Sequence, residues 1–396
     1  MRTWLFSEQQ YHPAWDRVDG PLRIKQPSKV IDPNVAAALM DRYFQEWAVC
    51  DEVGIDIVVN EHHATLTCMS TSPLLSLAAL ARTTKNVRLL SLGTPITNRM
   101  DPLRIAEEIA MVDVMSRGRL EVGLVKGSDW ELYNSNSNPV RMMDRFWEAH
   151  DFIVRALTSH EGPFAYDGEF YRYRNVNVFP HVLQQPHPPI WIPGSSAPSA
   201  KRIAELGYVA ATFMSGFGAK AFFDAYRASY REAHSRPAPR DRLAYIALCV
   251  TADTEAEARA RAERLRAWQY ALYRLVPGTL NPPGYMSVAD NVRYLRSGAA
   301  TASGPVAIPT VDEMAQRGIL FWGTPDMVVD QISRFHDTVG GFDHLLMQMG
   351  GQLTFEDTVD SLRLYAREVA PRLKKLTAEP ATMEVPADVA RRNAFR

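Results

Sequence analysis

Three short segments of the sequence carry residues that could exchange a proton or bind an anion. The first, Glu61-His62-His63, offers an imidazole, whose charge changes close to neutral pH and which therefore suits general acid–base chemistry. The second contains Lys126, followed by Gly127, so that a positive charge and an accessible backbone lie side by side. The third, Gly194-Ser195-Ser196, precedes a predicted helix, whose free N–H groups could bind a phosphate together with the two hydroxyls.

Each segment also has a purely structural explanation. A histidine at the end of a strand can simply be hydrogen-bonded, and a lysine beside a glycine is common on protein surfaces. Serine at the start of a helix often caps the backbone and binds no ligand. Adjacent histidines in an extended chain point in different directions, so we do not expect a metal site. The sequence has neither a Walker A pattern nor a Gly-x-Gly-x-x-Gly fingerprint, which argues against a nucleoside triphosphatase or an ordinary dinucleotide dehydrogenase.

The elements that must position these segments alternate between strands and helices. The hydrophobic pattern predicts strands at residues 3–6, 55–59, 87–92, 120–125, 189–192, 208–211, 243–250 and 343–349. Strands that alternate with helices form right-handed units with a parallel sheet, and eight of them favour a closed (β/α)8 TIM barrel over an open sheet. The carboxyl ends of barrel strands meet on one face. Because the three segments follow the second, fourth and fifth strands, we expect them to converge there.

Two stretches interrupt this alternation within a single predicted barrel domain, residues 1–376. Residues 161–188, after the fourth strand, are rich in aromatics and prolines and predict a β-hairpin. Residues 274–323, after the seventh strand, are rich in proline and glycine, and their length predicts a mobile lid over the site. Residues 377–396 are expected to form a C-terminal tail.

The composition is that of a globular protein without a strong charge bias. Lys and Arg number 44 and Asp and Glu 45, a net charge of −1, which argues against a general nucleic-acid binder. The three cysteines are too far apart for a disulfide framework or a thiolate zinc site. No apolar run approaches the roughly 18 residues of a membrane span, and the first residues lack the core of a signal peptide. We therefore expect a cytoplasmic protein that binds neither nucleic acid nor membrane.

One stretch of sequence is similar to a known family. Residues 101–123, from Asp-Pro-Leu-Arg-Ile-Ala-Glu-Glu to Arg-Leu-Glu-Val-Gly, closely resemble the bacterial luciferase-like flavin monooxygenases. Glu61-His62-His63 lies at the matching distance upstream, and Lys126-Gly127 stands where the family usually has Arg-Gly. Gly194-Ser195-Ser196 and Gly323-Thr324-Pro325 follow in the family's order. The resemblance extends over most of the chain, to about residue 375.

The resemblance implies a fold and an activity. Members of the family are (β/α)8 barrels that take reduced FMN (FMNH2) from a separate flavin reductase. They form a flavin C4a-peroxide with O2 and oxygenate a small organic substrate. By resemblance, this chain is then an FMNH2-dependent monooxygenase, and its oxygenation could be a hydroxylation, a Baeyer–Villiger insertion or an aldehyde oxidation. Members of the family commonly form dimers, so a homodimer is expected.

The resemblance also implies roles for individual residues. His62 matches the catalytic histidine, and Lys126 matches the arginine that binds the FMN phosphate, although a lysine offers a point charge and not a bidentate fork. Gly93 and Thr94 match a pair beneath the flavin ring that a non-prolyl cis peptide joins. The remaining positions assigned to the cofactor are Glu61, Gly194, Ser195 and Ser196.

The substrate is the least specified part of this interpretation. A small, mostly apolar molecule is expected, and the residues that could line its pocket, or simply pack in the core, are Trp4, Tyr11, Met69, Tyr285, Met286 and Trp322. Two other functions stay open. Some relatives of the family use a deazaflavin for hydride transfer, and the chain could also be a non-catalytic flavin-binding barrel.

Overall fold

Most strands and helices lie where the hydrophobic pattern predicts them. The computed structural model describes residues 1–273, 282, 284–289, 291–292, 309–350 and 353–376. The strands are β1 Arg2–Ser7, β2 Asp56–Val59, β3 Leu89–Pro95, β4 Leu120–Val125, β5 Phe164–Asp167, β6 Arg172–Val176, β7 Ile190–Pro193, β8 Val209–Phe213, β9 Leu243–Thr251, β10 Leu320–Gly323 and β11 His344–Gln348. The α-helices span Pro33–Val53, Pro73–Thr83, Pro102–Met115, Glu131–Ser135, Met142–Thr158, Ala197–Glu205, Ala219–His234, Glu255–Tyr273, Val311–Gln316, Pro325–Thr338, Phe355–Leu364 and Ala370–Leu373.

Eight parallel strands close into a barrel. In order around it, β1, β2, β3, β4, β7, β8, β9 and β11 pair with their neighbours, and β11 pairs with β1 again. At this closure Arg2 lies opposite His344 and Phe6 lies opposite Gln348. The predicted (β/α)8 barrel is therefore confirmed, and each of its eight strands had been predicted. Because the strands are parallel, their carboxyl ends share one mouth.

Large side chains fill the interior of the barrel below this mouth. Trp4 of β1 is fully buried, and its Nε1 donates a hydrogen bond to Nδ1 of His344, 3.1 Å away. Trp191 of β7 packs edge-on against Trp4, with 5.5 Å between the ring centroids, and donates to Glu121 over 2.6 Å. Burial holds the pKa of His344 well below its usual range, so that a neutral imidazole accepts the bond from Trp4. Trp4 therefore belongs to the core and not to a substrate pocket.

A ninth strand, β10, was missed by the sequence analysis. It pairs with the second half of β9, from Leu248 to Thr251, beyond the point where β8 stops pairing at Ile246. The predicted insertion at residues 274–323 is therefore too long. The helix Val311–Gln316 and the buried strand β10 both fall within residues 274–323. A reciprocal capping box of Thr310 and Glu313 begins this helix. Most of the predicted lid, and the predicted tail at 377–396, lie outside the described residues.

The stretch after the fourth strand contains the predicted hairpin. Strands β5 and β6 pair antiparallel, with Phe164 opposite Val176 and Asp167 opposite Arg172. Tyr173 stacks on Phe152 of the helix Met142–Thr158, with 4.6 Å between the ring centroids. The hairpin is thereby fixed to the outside of the barrel.

The helices begin and end at residues that suit these positions. The Asp101 side chain accepts hydrogen bonds from the backbone N–H groups of Leu103 and Arg104, at 3.1 and 3.3 Å, and so begins the helix Pro102–Met115. Gly54 ends the first helix with a φ of 76°, a left-handed conformation that glycine adopts without steric cost. Within the described residues, no helix combines the length and the apolar character needed to cross a bilayer.

Candidate active site at the carboxyl ends of the strands

His62 stands at the wall of a cavity of about 730 Å³ in the barrel mouth. It follows β2, and its Nδ1 lies 3.0 Å from Oε1 of Glu131. The same carboxylate accepts hydrogen bonds from the backbone N–H groups of His63 and Ser128, each over 3.1 Å. These bonds fix the orientation of the imidazole, whose other nitrogen makes no hydrogen bond within the described part of the chain. We call this space the His62 cavity.

Glu131 is the partner of His62 that the sequence analysis missed. Burial by itself would raise the pKa of this carboxyl, but the charge of His62 and the hydrogen bonds from His62 and Ser128 outweigh it and lower the pKa. Glu131 is therefore an ionised acceptor beside the imidazole. A local signal existed, because Ser128-x-x-Glu131 has the spacing of a capping box, and the Glu131 side chain does accept from the Ser128 backbone.

His63 faces a different set of groups, as the alternation of an extended chain predicts. Its Nε2 lies 3.0 Å from Oε1 of Glu61, and the other oxygen of Glu61 accepts from Arg99 over 2.7 Å. The hydrogen bond with Glu61 raises the pKa of His63, although burial opposes the shift. Glu61 also lines the His62 cavity, so this carboxylate already has two cationic partners beside its predicted contact with the cofactor.

Gly93 lines the same cavity and lies at a bulge between β3 and β4. Leu92 pairs with Gly123 and Thr94 with Leu124, so Gly93 is left out of the ladder. A Cβ at Gly93 would lie 2.1 Å from Cγ1 of Val125, and therefore no larger residue fits.

The structure corrects the position of the cis peptide. The non-prolyl cis bond joins Leu92 to Gly93 and not Gly93 to Thr94. Beyond this bond, Thr94 has already rejoined the ladder opposite Leu124. The Thr94 side chain is fully buried, and its hydroxyl makes no hydrogen bond within the described residues.

Lys126, at the end of β4, lies between the His62 cavity and a second cavity of about 920 Å³. Its Nζ lies 3.6 Å from the centroid of the Tyr285 ring, and the Tyr285 hydroxyl donates to the carbonyl of Gly127 over 3.2 Å. Burial, with the nearby charges of Asp129 and Glu131, raises the pKa of Tyr285. Of the six candidates for an apolar pocket, only Tyr285 and Met286 line either of these cavities.

Gly194, Ser195 and Ser196 all line the second cavity, which we call the Ser195 cavity. Ser196 caps the helix Ala197–Glu205, because its hydroxyl accepts from the Ser199 N–H while the Ser199 hydroxyl accepts from the Ser196 N–H. A larger residue does not fit at Gly194 unless its neighbours shift, since a Cβ there would lie 2.7 Å from the Ser199 hydroxyl. The structural explanation therefore holds for Ser196, whereas Ser195 is exposed and makes no hydrogen bond with a described residue.

The two cavities differ in the charges of their walls. The described residues that line the Ser195 cavity include Lys126, Arg141 and Arg202 but no carboxylate. A helix N-terminus and hydroxyls complete this wall, so that it suits an anion such as a phosphate. The His62 cavity is lined on part of its wall by the apolar side chains of Leu92 and Val125. Together the cavities fit a planar ring with an anionic tail, placed so that the ring lies beside an imidazole able to transfer a proton.

Comparisons with known proteins identify the family to which the chain belongs. The family model described as luciferase-like monooxygenase matches residues 41–341, well over half of the chain. The oxygenase component of the flavin-dependent trigonelline monooxygenase of Acinetobacter baylyi is 32% identical over 169 residues, 41% of this chain and 46% of that protein. The FMNH2-dependent dimethylsulfone monooxygenase of Pseudomonas putida is 27% identical over 310 residues, 76% of this chain and 78% of that protein.

A solved structure shares the fold. The monooxygenase RslO1 from Streptomyces bottropensis superposes with a TM-score of 0.73 at 21% identity, over 94% of this chain and all of that one. The chain spans about half the length of the first curated relatives it matches. Because the family model covers most of the barrel, the chain belongs to the luciferase-like monooxygenase family.

Proposed function

We propose that this protein is a flavin-dependent monooxygenase that uses reduced FMN and O2 to oxygenate a small organic molecule. The observation that carries the proposal is the position of Lys126, which joins a cavity with an oriented histidine to a cavity with cationic and hydroxyl walls. Membership of the family and the FMNH2 dependence named for the dimethylsulfone relative support the choice of cofactor. That relative, and the oxygenase component of the trigonelline enzyme, also support a separate reductase as the source of the reduced flavin.

The residues that would hold FMN divide between the two cavities. Lys126, the Ser195 hydroxyl and the backbone N–H of Ala197 would bind the phosphate, with Arg202 as a further cation at the rim. Leu92, Gly93 and Val125 would contact the ring. When bound, the reduced flavin supplies the two electrons with which one oxygen atom enters the substrate while the other is reduced to water.

The work of the chain itself is positioning and proton transfer. His62 can hold or donate a proton at the nitrogen that Glu131 leaves exposed to the cavity, because Nδ1 is occupied by the carboxylate. The ionised Glu131 keeps the imidazole in a fixed orientation. The apolar side chains of Phe6, Leu92 and Ile246 keep water away from the reacting atoms.

The proposed function is tested by mixing the purified protein with chemically reduced FMN and ¹⁸O2. Reduced FMN should be oxidised on the protein with kinetics distinct from those of the free flavin. Candidate substrates should gain a single ¹⁸O atom, which mass spectrometry detects. Use of a reduced deazaflavin in place of FMN would favour the oxidoreductase alternative. Binding of FMN with unchanged reoxidation and no labelled product would favour a non-catalytic flavin-binding barrel.

A homodimer is a further part of the proposal. Leu75, on the helix Pro73–Thr83, is 74% exposed, and Met111, on the adjacent helix Pro102–Met115, is 54% exposed. A second copy of the chain that covered both side chains would remove their apolar surface from water. Sedimentation velocity of the wild type and of a Leu75→Glu, Met111→Glu double variant tests this. A dimer that dissociates in the variant supports the proposal, and a monomeric wild type contradicts it.

A further inference from the structure

Arg23 lies in the wall of the His62 cavity, on the segment between β1 and the first helix. Its neighbours in the chain are fixed by hydrogen bonds to the loop after β2. The N–H of Ile24 donates to the carbonyl of Ala64 over 2.7 Å, and the N–H of Leu66 donates to the carbonyl of Leu22 over 2.9 Å. The backbone of Arg23 therefore has a defined position at the barrel mouth.

The side chain of Arg23 is oriented by an aromatic ring that also contacts His62. Its Cζ lies 4.8 Å from the centroid of the Trp130 ring, a cation–π distance. The centroid of the His62 ring lies 5.5 Å from the same indole, which is buried. The guanidinium and the imidazole therefore both contact the same tryptophan.

The guanidinium of Arg23 has no contact partner of opposite charge within the described part of the chain. No described carboxylate lies within 4.0 Å of it, and its buried Nε makes no hydrogen bond with a described residue. Glu8 and Glu131 are close enough to raise the pKa of Arg23, but burial lowers it by more. A buried charge without a paired, hydrogen-bonded partner is costly unless a ligand provides one.

Arg99, a second arginine near the mouth, is by contrast paired with carboxylates of the fold. Arg99 donates to Glu61 over 2.7 Å and to Glu108 over 3.1 Å, so that both carboxylates are in direct contact with its guanidinium. Arg23 has no such contacts, although it lies beside the cavity that Glu61 also lines. No ion pair within the described residues ties Arg23 to the fold, and Arg23 lines the cavity.

We propose that Arg23 binds a carboxylate on the molecule that is oxygenated, so that the substrate is a small organic acid and not a purely apolar molecule. Only the claim that the bound acid is oxygenated rests on the proposed function, because the binding of a carboxylate can be measured without turnover. A planar guanidinium held over an indole matches the two oxygens of a carboxylate in a bidentate contact. The FMN phosphate is not the anion in question, since Arg23 does not line the Ser195 cavity, where Lys126 and the serines lie.

The test compares acids with their neutral amides of the same shape. Binding of acetate and acetamide, benzoate and benzamide, and cyclohexanecarboxylate and cyclohexanecarboxamide is measured by calorimetry on the protein, with and without oxidised FMN. The wild type should bind at least one acid about 10- to 100-fold more tightly than its amide, as expected for hydrogen bonds to a charged group. Arg23→Met should remove this preference, and Arg23→Lys should keep only part of it.

The matched control is Arg17→Met, because Arg17 is exposed and donates to the carbonyl of Pro13 in the same segment. This variant should keep the preference of the wild type. Equal binding of acid and amide in all three pairs by the wild type overturns the proposal, as does a preference that Arg23→Met retains. If Arg23→Met fails to fold, the proposal is still tested by whether the wild type prefers acids and whether Arg23→Lys keeps only part of that preference. A preference for acids in a protein that does not bind FMN would overturn the proposed function but not the carboxylate site.

Discussion

The His62 cavity and the Ser195 cavity share Lys126 but differ in the charges of the side chains that line them. Residues of both charges line the His62 cavity, where Glu131 contacts His62 and Glu61 contacts Arg99 behind the wall. The described wall of the Ser195 cavity includes Lys126, Arg141 and Arg202 and no carboxylate. Arg141 and Arg202 also form ion pairs, with carboxylates that do not line the cavity. A site that moves protons needs groups whose charge is balanced and can change, whereas a site that holds an anion needs positive charge that stays.

This difference implies that the two cavities can be damaged separately. Substitutions in the His62 cavity should change the rate of reaction while the affinity for flavin survives. Substitutions in the Ser195 cavity should change affinity through the phosphate alone. Lys126 lines both cavities, so its substitution is the one most able to change both the reaction rate and the affinity for flavin.

The largest effect is expected for His62→Ala. Loss of a general acid–base group typically slows a reaction about 10²–10⁴-fold, so product formation should fall by that factor in single-turnover experiments while FMN still binds. His63→Ala is the matched control, because His63 is not among the residues that line the His62 cavity and is hydrogen-bonded to Glu61. If His62→Ala turns over at the wild-type rate, His62 has no role in proton transfer.

Lys126→Ala should weaken the binding of FMN about 10- to 100-fold, because one hydrogen bond to a charged group is lost. Fluorescence titration with riboflavin, which lacks the phosphate, provides the control and should change little. Lys126→Arg should keep the affinity for FMN, since an arginine forms a bidentate contact with phosphate. An equal loss for FMN and riboflavin would mean that Lys126 contacts the ring, and the two cavities would then not be separable.

Ser195→Ala and Ser196→Ala distinguish binding from capping within the Ser195 cavity. Ser195→Ala should weaken FMN about 10-fold and leave the thermal midpoint unchanged, because no described residue depends on its hydroxyl. Ser196→Ala should lower the free energy of unfolding by about 1 kcal/mol, since the helix Ala197–Glu205 loses its cap. The reverse pattern, with Ser195 needed for stability and Ser196 only for FMN, would contradict this division.

The smallest effect concerns pH and the pair of His63 and Glu61. The folded protein raises the pKa of His63 above the 6.5 of the unfolded chain, so the protonated pair stabilises the fold. This contribution is complete below about pH 6.5 and is lost as the pH rises through the higher folded value. Denaturant unfolding of the wild type and of His63→Gln from pH 5.5 to 9 should differ most at the acidic end, by less than about 1 kcal/mol. A difference that grows towards pH 9 would show that the pair does not act in this way.

The barrel could be predicted because each of its strands is marked locally. Ile55–Val59 and Leu120–Val125 are runs of β-branched and other apolar residues between helix signals, and such runs are visible in a single sequence. β10 was missed because Leu320–Gly323 has only four residues and sits inside a stretch that proline and glycine dominate. Its partner, β9, could not be identified from the sequence, since pairing depends on where β8 ends.

The site was predictable where the residue type alone indicates the chemistry. His62 and Lys126 do line the cavities, but Glu131 contacts His62 across 69 positions of sequence, and nothing local links the two. Arg23 was missed because its partner is the indole of Trp130, which no short pattern indicates. The resemblance placed the cis peptide between Gly93 and Thr94, and this was wrong by one bond, since the cis bond joins Leu92 to Gly93.

The closure of the barrel by β1 and β11 has a consequence for the biogenesis of the chain. Trp4 and His344, which meet in the finished barrel, are 340 positions apart, so one edge of β1 has no partner until nearly the whole chain has left the ribosome. An apolar strand with an open edge is a template for pairing with other chains. Contacts of such long sequence separation also form slowly, because a large loop must be closed first. During synthesis the protein is therefore exposed to aggregation through its first strand, and the last strand is the one that removes this risk.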